Sequence, residues 1–208
     1  DRAGSRDLMS YPAIAAIAEL TQLESADVCL VGNGPADTNP LIGVECKSIW
    51  DLCSSMNTGR LQGTQIPLLL DSYDVRWLLY WGEYRPGRDG SLQIGSRKGW
   101  RGLRLGSRLV PYGWLEAFLI EMAVIGIHTK HVDSEATAVQ WLLTLNRFWS
   151  KEWKDHKGMR KFDSSGEVSL IPGMDDRMLT RARVASCLPG VGFERAVAAA
   201  VSFPTTFS

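Results

Sequence analysis

The chain runs to 208 residues, 45% hydrophobic and 22% charged, with Lys+Arg and Asp+Glu both at 23. These values describe a soluble globular chain, long enough to bury one ordinary core and carry a small appendage. Zero net charge excludes a whole-protein electrostatic case for nucleic acid, so any such case must rest on how the charge is distributed. Four cysteines (Cys29, Cys46, Cys53, Cys187) form no CxxC pair and no zinc-finger spacing. With no signal peptide and no apolar run of membrane length, the expectation is an intracellular protein (cytoplasm or nucleoid, nucleus in a eukaryote) with no membrane partner.

Tyr11 to Leu23 is rich in Ala, Ile and Leu, lacks glycine and predicts a helix. Ala26 to Val31 is a short apolar run closed by Gly32-Asn33-Gly34-Pro35, and Leu41 to Lys47 follows as a second strand, so the two predict a hairpin with a longish loop. From Ser48 to Met56 the period changes. Ile49, Leu52, Cys53 and Met56 recur at i, i+3, i+4 and i+7, one buried helix face. Val75 to Trp81 is almost continuously apolar, as in a strand covered on both faces. Glycine and arginine dominate from Glu83 to Pro111, which predicts loops or an irregular insertion. A helix (Gly113 to Val124), a strand (Gly126 to Lys130) and a helix (Ser134 to Trp149, with Ser134 as N-cap) complete the order. The apolar stretch Leu115 to Ile127 carries Glu116 and Glu121, and reads as a core helix and not a membrane span. Strands alternating with helices predict an α/β fold, a mixed sheet flanked by helices, over residues 1–162. Residues 163–173 read as a linker, and residues 174–208 as two helices around Leu188-Pro189-Gly190-Val191-Gly192.

The chemistry-bearing stretch is Val44-Glu45-Cys46-Lys47, with Asp27 upstream and Asp51 downstream. On a strand Glu45 and Lys47 share one face and Val44 and Cys46 the other. With the core on the Val44/Cys46 side, a carboxylate and an ammonium project together, and pairing with the preceding strand brings Asp27 alongside Glu45. Two carboxylates suit a hard cation such as magnesium, which would polarise a phosphoryl oxygen while Lys47 offsets developing charge. Asp51, early in the following helix, could assist through water or through Lys47. By itself an E-x-K triplet is more often a solvated ion pair than a catalytic site.

The wider run carries more. Val44-Glu45-Cys46-Lys47-Ser48-Ile49-Trp50-Asp51-Leu52, then Ser55, Gly59-Arg60-Leu61 and Gln65, with Ala26-Asp27 before it, resembles the nuclease domain of the XPF-type structure-specific endonucleases. That family's pattern is G-D, a gap, V-E-R-K-x-x-x-D-L, a serine, a G-R-[FL] step and a glutamine. The resemblance spans about Ala26 to Glu83, and helix-strand order extends it to about Trp149. It implies a restriction-endonuclease-like fold that cleaves DNA phosphodiesters with Mg2+, or with Mn2+ in its place. By position it makes Asp27 and Glu45 metal ligands, with the backbone carbonyl of Cys46 a third, Lys47 the catalytic lysine with Asp51 beside it, and Arg60 and Gln65 DNA-facing residues. The chain departs from the family in three places. Cys46 stands for arginine, Ala26 stands mildly for glycine, and, with Asp1-Arg2 at its start, the chain is expected to have the strand ending in a D-x-R-E-like step absent or truncated.

Residues 184–196 fit a helix-hairpin-helix, in which Gly190 and Gly192 let the backbone approach a phosphate at a helix N-terminus and Arg195 adds charge. XPF-type enzymes carry such hairpins at their C-termini. Between Arg85 and Arg108 seven basic residues face one acid, Asp89, and Trp100 lies among them. This stretch could track DNA phosphates or be a solvated loop. Lys151, Lys154, Lys157, Arg160 and Lys161 form a second basic cluster with the same two readings, and His128, His131 and His156 show no metal-ligand spacing.

The expectation is therefore a magnesium-dependent DNA endonuclease acting on branched or flapped DNA in repair, recombination or phage replication, as a homodimer or with a partner through the C-terminal hairpin. Two rivals stand beside it. One is a catalytically inactive DNA-binding module of the same fold, and the other a restriction-like enzyme of sequence-specific type.

Overall fold

The computed structural model describes residues 8–35, 38–96 and 98–156, together with 182, 184, 185 and 195–198. The chain divides into two compact units, Asp1–Asp155 and His156–Ser208.

The first unit is a four-stranded sheet in the order β1-β2-β3-β9, with helices on both faces. β1 (Val28–Val31) pairs antiparallel with β2 (Leu41–Ser48), as the hairpin reading expects. β2 pairs parallel with β3 (Val75–Trp81), and β3 parallel with β9 (His128–Val132). The sheet is thus mixed.

Parallel neighbours need crossovers, and helices supply them. α2 (Ile49–Asn57) starts where Ser48 caps it, the side chain accepting from Asp51 N at 3.1 Å. It buries Ile49, Leu52, Cys53 and Met56, the face read from the sequence. A π-helical turn (Leu61–Gln65) and α3 (Ile66–Ser72) then lead to β3, and neither was anticipated. α4 (Tyr112–Val124) precedes β9, and α5 (Glu135–Trp149) follows it with Ser134 as N-cap, accepting from Thr137 N at 3.2 Å.

Two cores sandwich the sheet. On one face Leu78 and Tyr80 pack with Leu52, Cys53, Leu61, Leu69, Tyr73, Leu115 and Phe118. On the other Ile42, Val44 and Leu79 pack with Val139, Leu142 and Leu143 of α5. The core therefore lies on the Val44/Cys46 side and on the Glu45/Lys47 side alike.

Two further expectations give way. The predicted helix from Tyr11 to Leu23 is only α1 (Pro12–Ala15). Ile17 and Leu20 beyond it are 56% and 57% exposed, and a short helix without a packed apolar face is marginal in water. The stretch from Glu83 to Pro111 is not loop. It holds a three-stranded antiparallel sheet, β4 (Tyr84–Pro86), β5 (Leu92–Ser96) and β6 (Gly99–Gly102), and a two-stranded ribbon, β7 (Arg104–Leu105) with β8 (Arg108–Leu109). Leu92, Ile94 and Leu103 are buried in the first core, so these few apolar residues anchor an insertion that otherwise reads as polar. No helix among the described residues is long and apolar enough to cross a membrane.

In the second unit Ala182, Val184 and Ala185 are helical, as are residues 195–198. Gly190, Gly192 and the 163–173 linker lie outside the described residues.

A candidate nuclease centre at the start of the hairpin

The register Val28↔Val44 places Asp27 opposite Glu45, just before β1 begins. Asp27 N donates to Val44 O at 3.0 Å, and Cys46 N donates to Asp27 Oδ2 at 2.9 Å. The aspartate side chain thus continues the ladder beyond the end of β1. A strand residue's N–H and C=O leave on the same side, so the Cys46 carbonyl also points past the start of β1, toward Asp27. Ala26 holds this approach at φ +67°. That left-handed conformation costs a non-glycine residue about 1–2 kcal/mol, so the alanine in the family's glycine position is a strained substitution and not the mild one read from the sequence.

Glu45 and Lys47 share a face, as predicted, but it is the face toward α2 and the π turn. Glu45 pairs with Leu78 and Lys47 with Tyr80, both residues of the first core. Glu45 is 3% exposed and Lys47 5%. They form an ion pair, Nζ to Oε1 at 2.8 Å. Gln65 Nε2, from the π turn, donates to the same Oε1, and Oε2 takes neither donor. The Gln65 Oε1 atom is buried with no hydrogen-bond partner. Burial raises the Glu45 carboxyl above its ordinary value, the negative charge of Asp27 adds to this, and Lys47 opposes it.

Gln65, placed on DNA by resemblance, thus touches Glu45. Arg60 is exposed at the N-terminal end of the π turn. Asp51 closes the α2 cap, its Oδ2 accepting from Ser48 Oγ at 2.8 Å, so its observed bonds are to Ser48. Arg195 is exposed and helical in the second unit.

Sequence reasoning missed Tyr73. Its ring lies where a Cβ on Gly43 would be, and its hydroxyl donates to Ser25 O at 2.6 Å, holding the strand entry that presents Asp27. Gly43 inside a strand is the one local sign of that close approach.

Among the described residues no group of three or more His, Cys, Asp or Glu side chains is placed to hold a metal. The available set is two carboxylates, the Cys46 carbonyl and the orphaned Gln65 oxygen. That all-oxygen set fits magnesium, which keeps several of its waters and takes only one or two carboxylates from the protein.

No protein-family model matches the chain, and no curated protein does. Among solved structures it is similar to "XPF from Aeropyrum pernix" at 19% identity and TM-score 0.43, over 90% of this chain and 87% of that one. It is also similar to "XPF from Aeropyrum pernix, complex with DNA" at 17% identity and TM-score 0.38, over 79% of this chain and 62% of that one.

Proposed function

We propose that the chain is a magnesium-dependent DNA endonuclease of XPF type, cutting branched or flapped DNA. The observation that carries this is the meeting of Asp27 and Glu45 across the open end of the β1–β2 ladder, with Lys47 bonded to Glu45. Of the residues that match the family pattern, Asp27, Glu45, Lys47 and Gln65 lie close to one another, which supports this reading. Asp27 and Glu45 would hold the ion, with the Cys46 carbonyl and Gln65 Oε1 as further oxygens. A bound divalent cation supplies positive charge against phosphoryl oxygens. Lys47 stabilises charge building on the phosphate, and Gln65 is a positioning residue that fixes the Glu45 carboxylate. The hairpin around Gly190 and Gly192, with Arg195, would grip the DNA backbone and serve as the surface for a second copy or a partner. Repair, recombination or phage replication inside the cell is the setting that fits such a substrate.

One observation favours a second reading, an inactive DNA-binding module. The Glu45 carboxylate is covered and already neutralised by Lys47.

Cleavage of a flap substrate by wild type, Glu45→Gln and Asp27→Asn, each with Mg2+ and with EDTA, separates the two. The nuclease reading expects cutting only by wild type and only with Mg2+. Cutting that survives Glu45→Gln removes the site assignment, and binding without cutting selects the inactive module.

A further inference from the structure

The insertion between β3 and α4 has two unlike faces. Opposed residues of an antiparallel pair share a face, so Tyr84, Ile94 and Arg101 lie on one and Arg85, Gln93, Gly95, Trp100 and Gly102 on the other. Leu92 and Ile94 bury the first face in the core, which fixes the sheet to the body of the unit. The second face looks outward.

On that outer face Trp100 is 41% exposed, and the Arg85 guanidinium lies over its ring, 4.2 Å from the centroid. Gln93 Oε1 accepts from Arg85 Nε at 3.0 Å and holds the guanidinium in place. Gly102 leaves room for Leu109 above the sheet, which brings the β7–β8 ribbon and its exposed Arg104 beside the face. Arg88 and Lys98 are exposed at the two turns. Two carboxylates are also near. Glu83 lies over Gly95, and Asp89 accepts from Ser91 N and Oγ at 3.1 and 2.6 Å. Over the whole segment from Arg85 to Arg108 the excess is six positive charges, in a chain whose total is zero. The charge is therefore segregated onto this insertion.

We propose that the outer face of β4–β6 binds an unpaired DNA strand, stacking a base on the Trp100–Arg85 pair while Arg88, Lys98 and Arg104 meet phosphates. A guanidinium held over the indole by Gln93 extends one planar stack, and such a stack suits any base. Duplex DNA offers no free base face, so the aromatic pair selects unpaired strand, and the cations alone would not. This surface is separate from the Glu45 centre and stands whether or not that centre holds a metal.

The full chain is titrated in EDTA, by fluorescence anisotropy, with a labelled thymidylate dodecamer and with an abasic dodecamer of the same backbone. Wild type is expected to favour the thymidylate strand about tenfold. Trp100→Ala removes that preference while leaving the abasic affinity unchanged. Trp100→Phe retains most of it. Equal affinity of wild type for the two strands overturns the proposal, as does a Trp100→Ala effect that falls equally on both or on neither. Absence of Mg2+-dependent cutting with the preference intact removes only the nuclease reading.

Discussion

Replacing Lys47 by methionine keeps most of the aliphatic stem and deletes the charge that faces Glu45 at 2.8 Å. Both partners are at most 5% exposed, so water cannot take over the role of the ammonium. Breaking such a pair by removing one member costs about 3–5 kcal/mol, against about 0–1 kcal/mol for an exposed pair. The cost depends on pH, with a definite sign. The folded Glu45 carboxyl already titrates above its ordinary value because burial and Asp27 outweigh Lys47. A raised folded value means stability that is full below the unfolded value and lost as pH climbs through the folded one. Lys47→Met removes an influence that lowers it, so the folded value rises further and the loss extends upward in pH. The penalty is expected to be smaller at pH 5 than at pH 8, because the shift is upward. In urea unfolding a 3–5 kcal/mol loss moves the midpoint by about 1–2 M. Lys47→Met combined with Glu45→Gln recovers most of the loss, since a neutral amide needs no ammonium. A penalty below about 1 kcal/mol at pH 8, or one equal at both pH values, would refute a buried pair.

Three further outcomes are open to measurement. Ala26→Gly relieves the left-handed strain at φ +67° at some cost in unfolded-chain entropy, leaving a net stabilisation of about 0.5–1 kcal/mol in urea midpoints; destabilisation would contradict that backbone geometry. Ser48→Ala removes the α2 cap and its bond to Asp51, for a loss of about 1 kcal/mol by the same assay, and no loss would mean the cap is idle. Burial pushes the Cys53 thiol up to about 12, so at pH 9 only about 0.1% is thiolate. Iodoacetamide should therefore label Cys53 in urea and spare it in the folded chain, as peptide mass spectrometry would read directly.

Much of the fold was legible because its signals are local. The i, i+3, i+4, i+7 spacing from Ile49 to Met56, the apolar run of Val75 to Trp81 and the caps at Ser48 and Ser134 depend only on neighbours a few residues away, and each element stands where that spacing puts it. The face shared by Glu45 and Lys47 follows from strand alternation, and the opposition of Asp27 to Glu45 from hairpin pairing. Tertiary structure alone decided what covers that face. The π turn that brings Gln65 to Glu45, and Tyr73 over Gly43, are separated from β2 by tens of residues and have no period of their own. The same holds where packing overrode composition: Leu92, Ile94 and Leu103 turn a glycine- and arginine-rich stretch into a sheet, while Ile17 and Leu20 lack a buried face and the helix before them stops at Ala15. A sequence states which side of an element is apolar, but only the assembled chain supplies the partner that makes burying that side favourable.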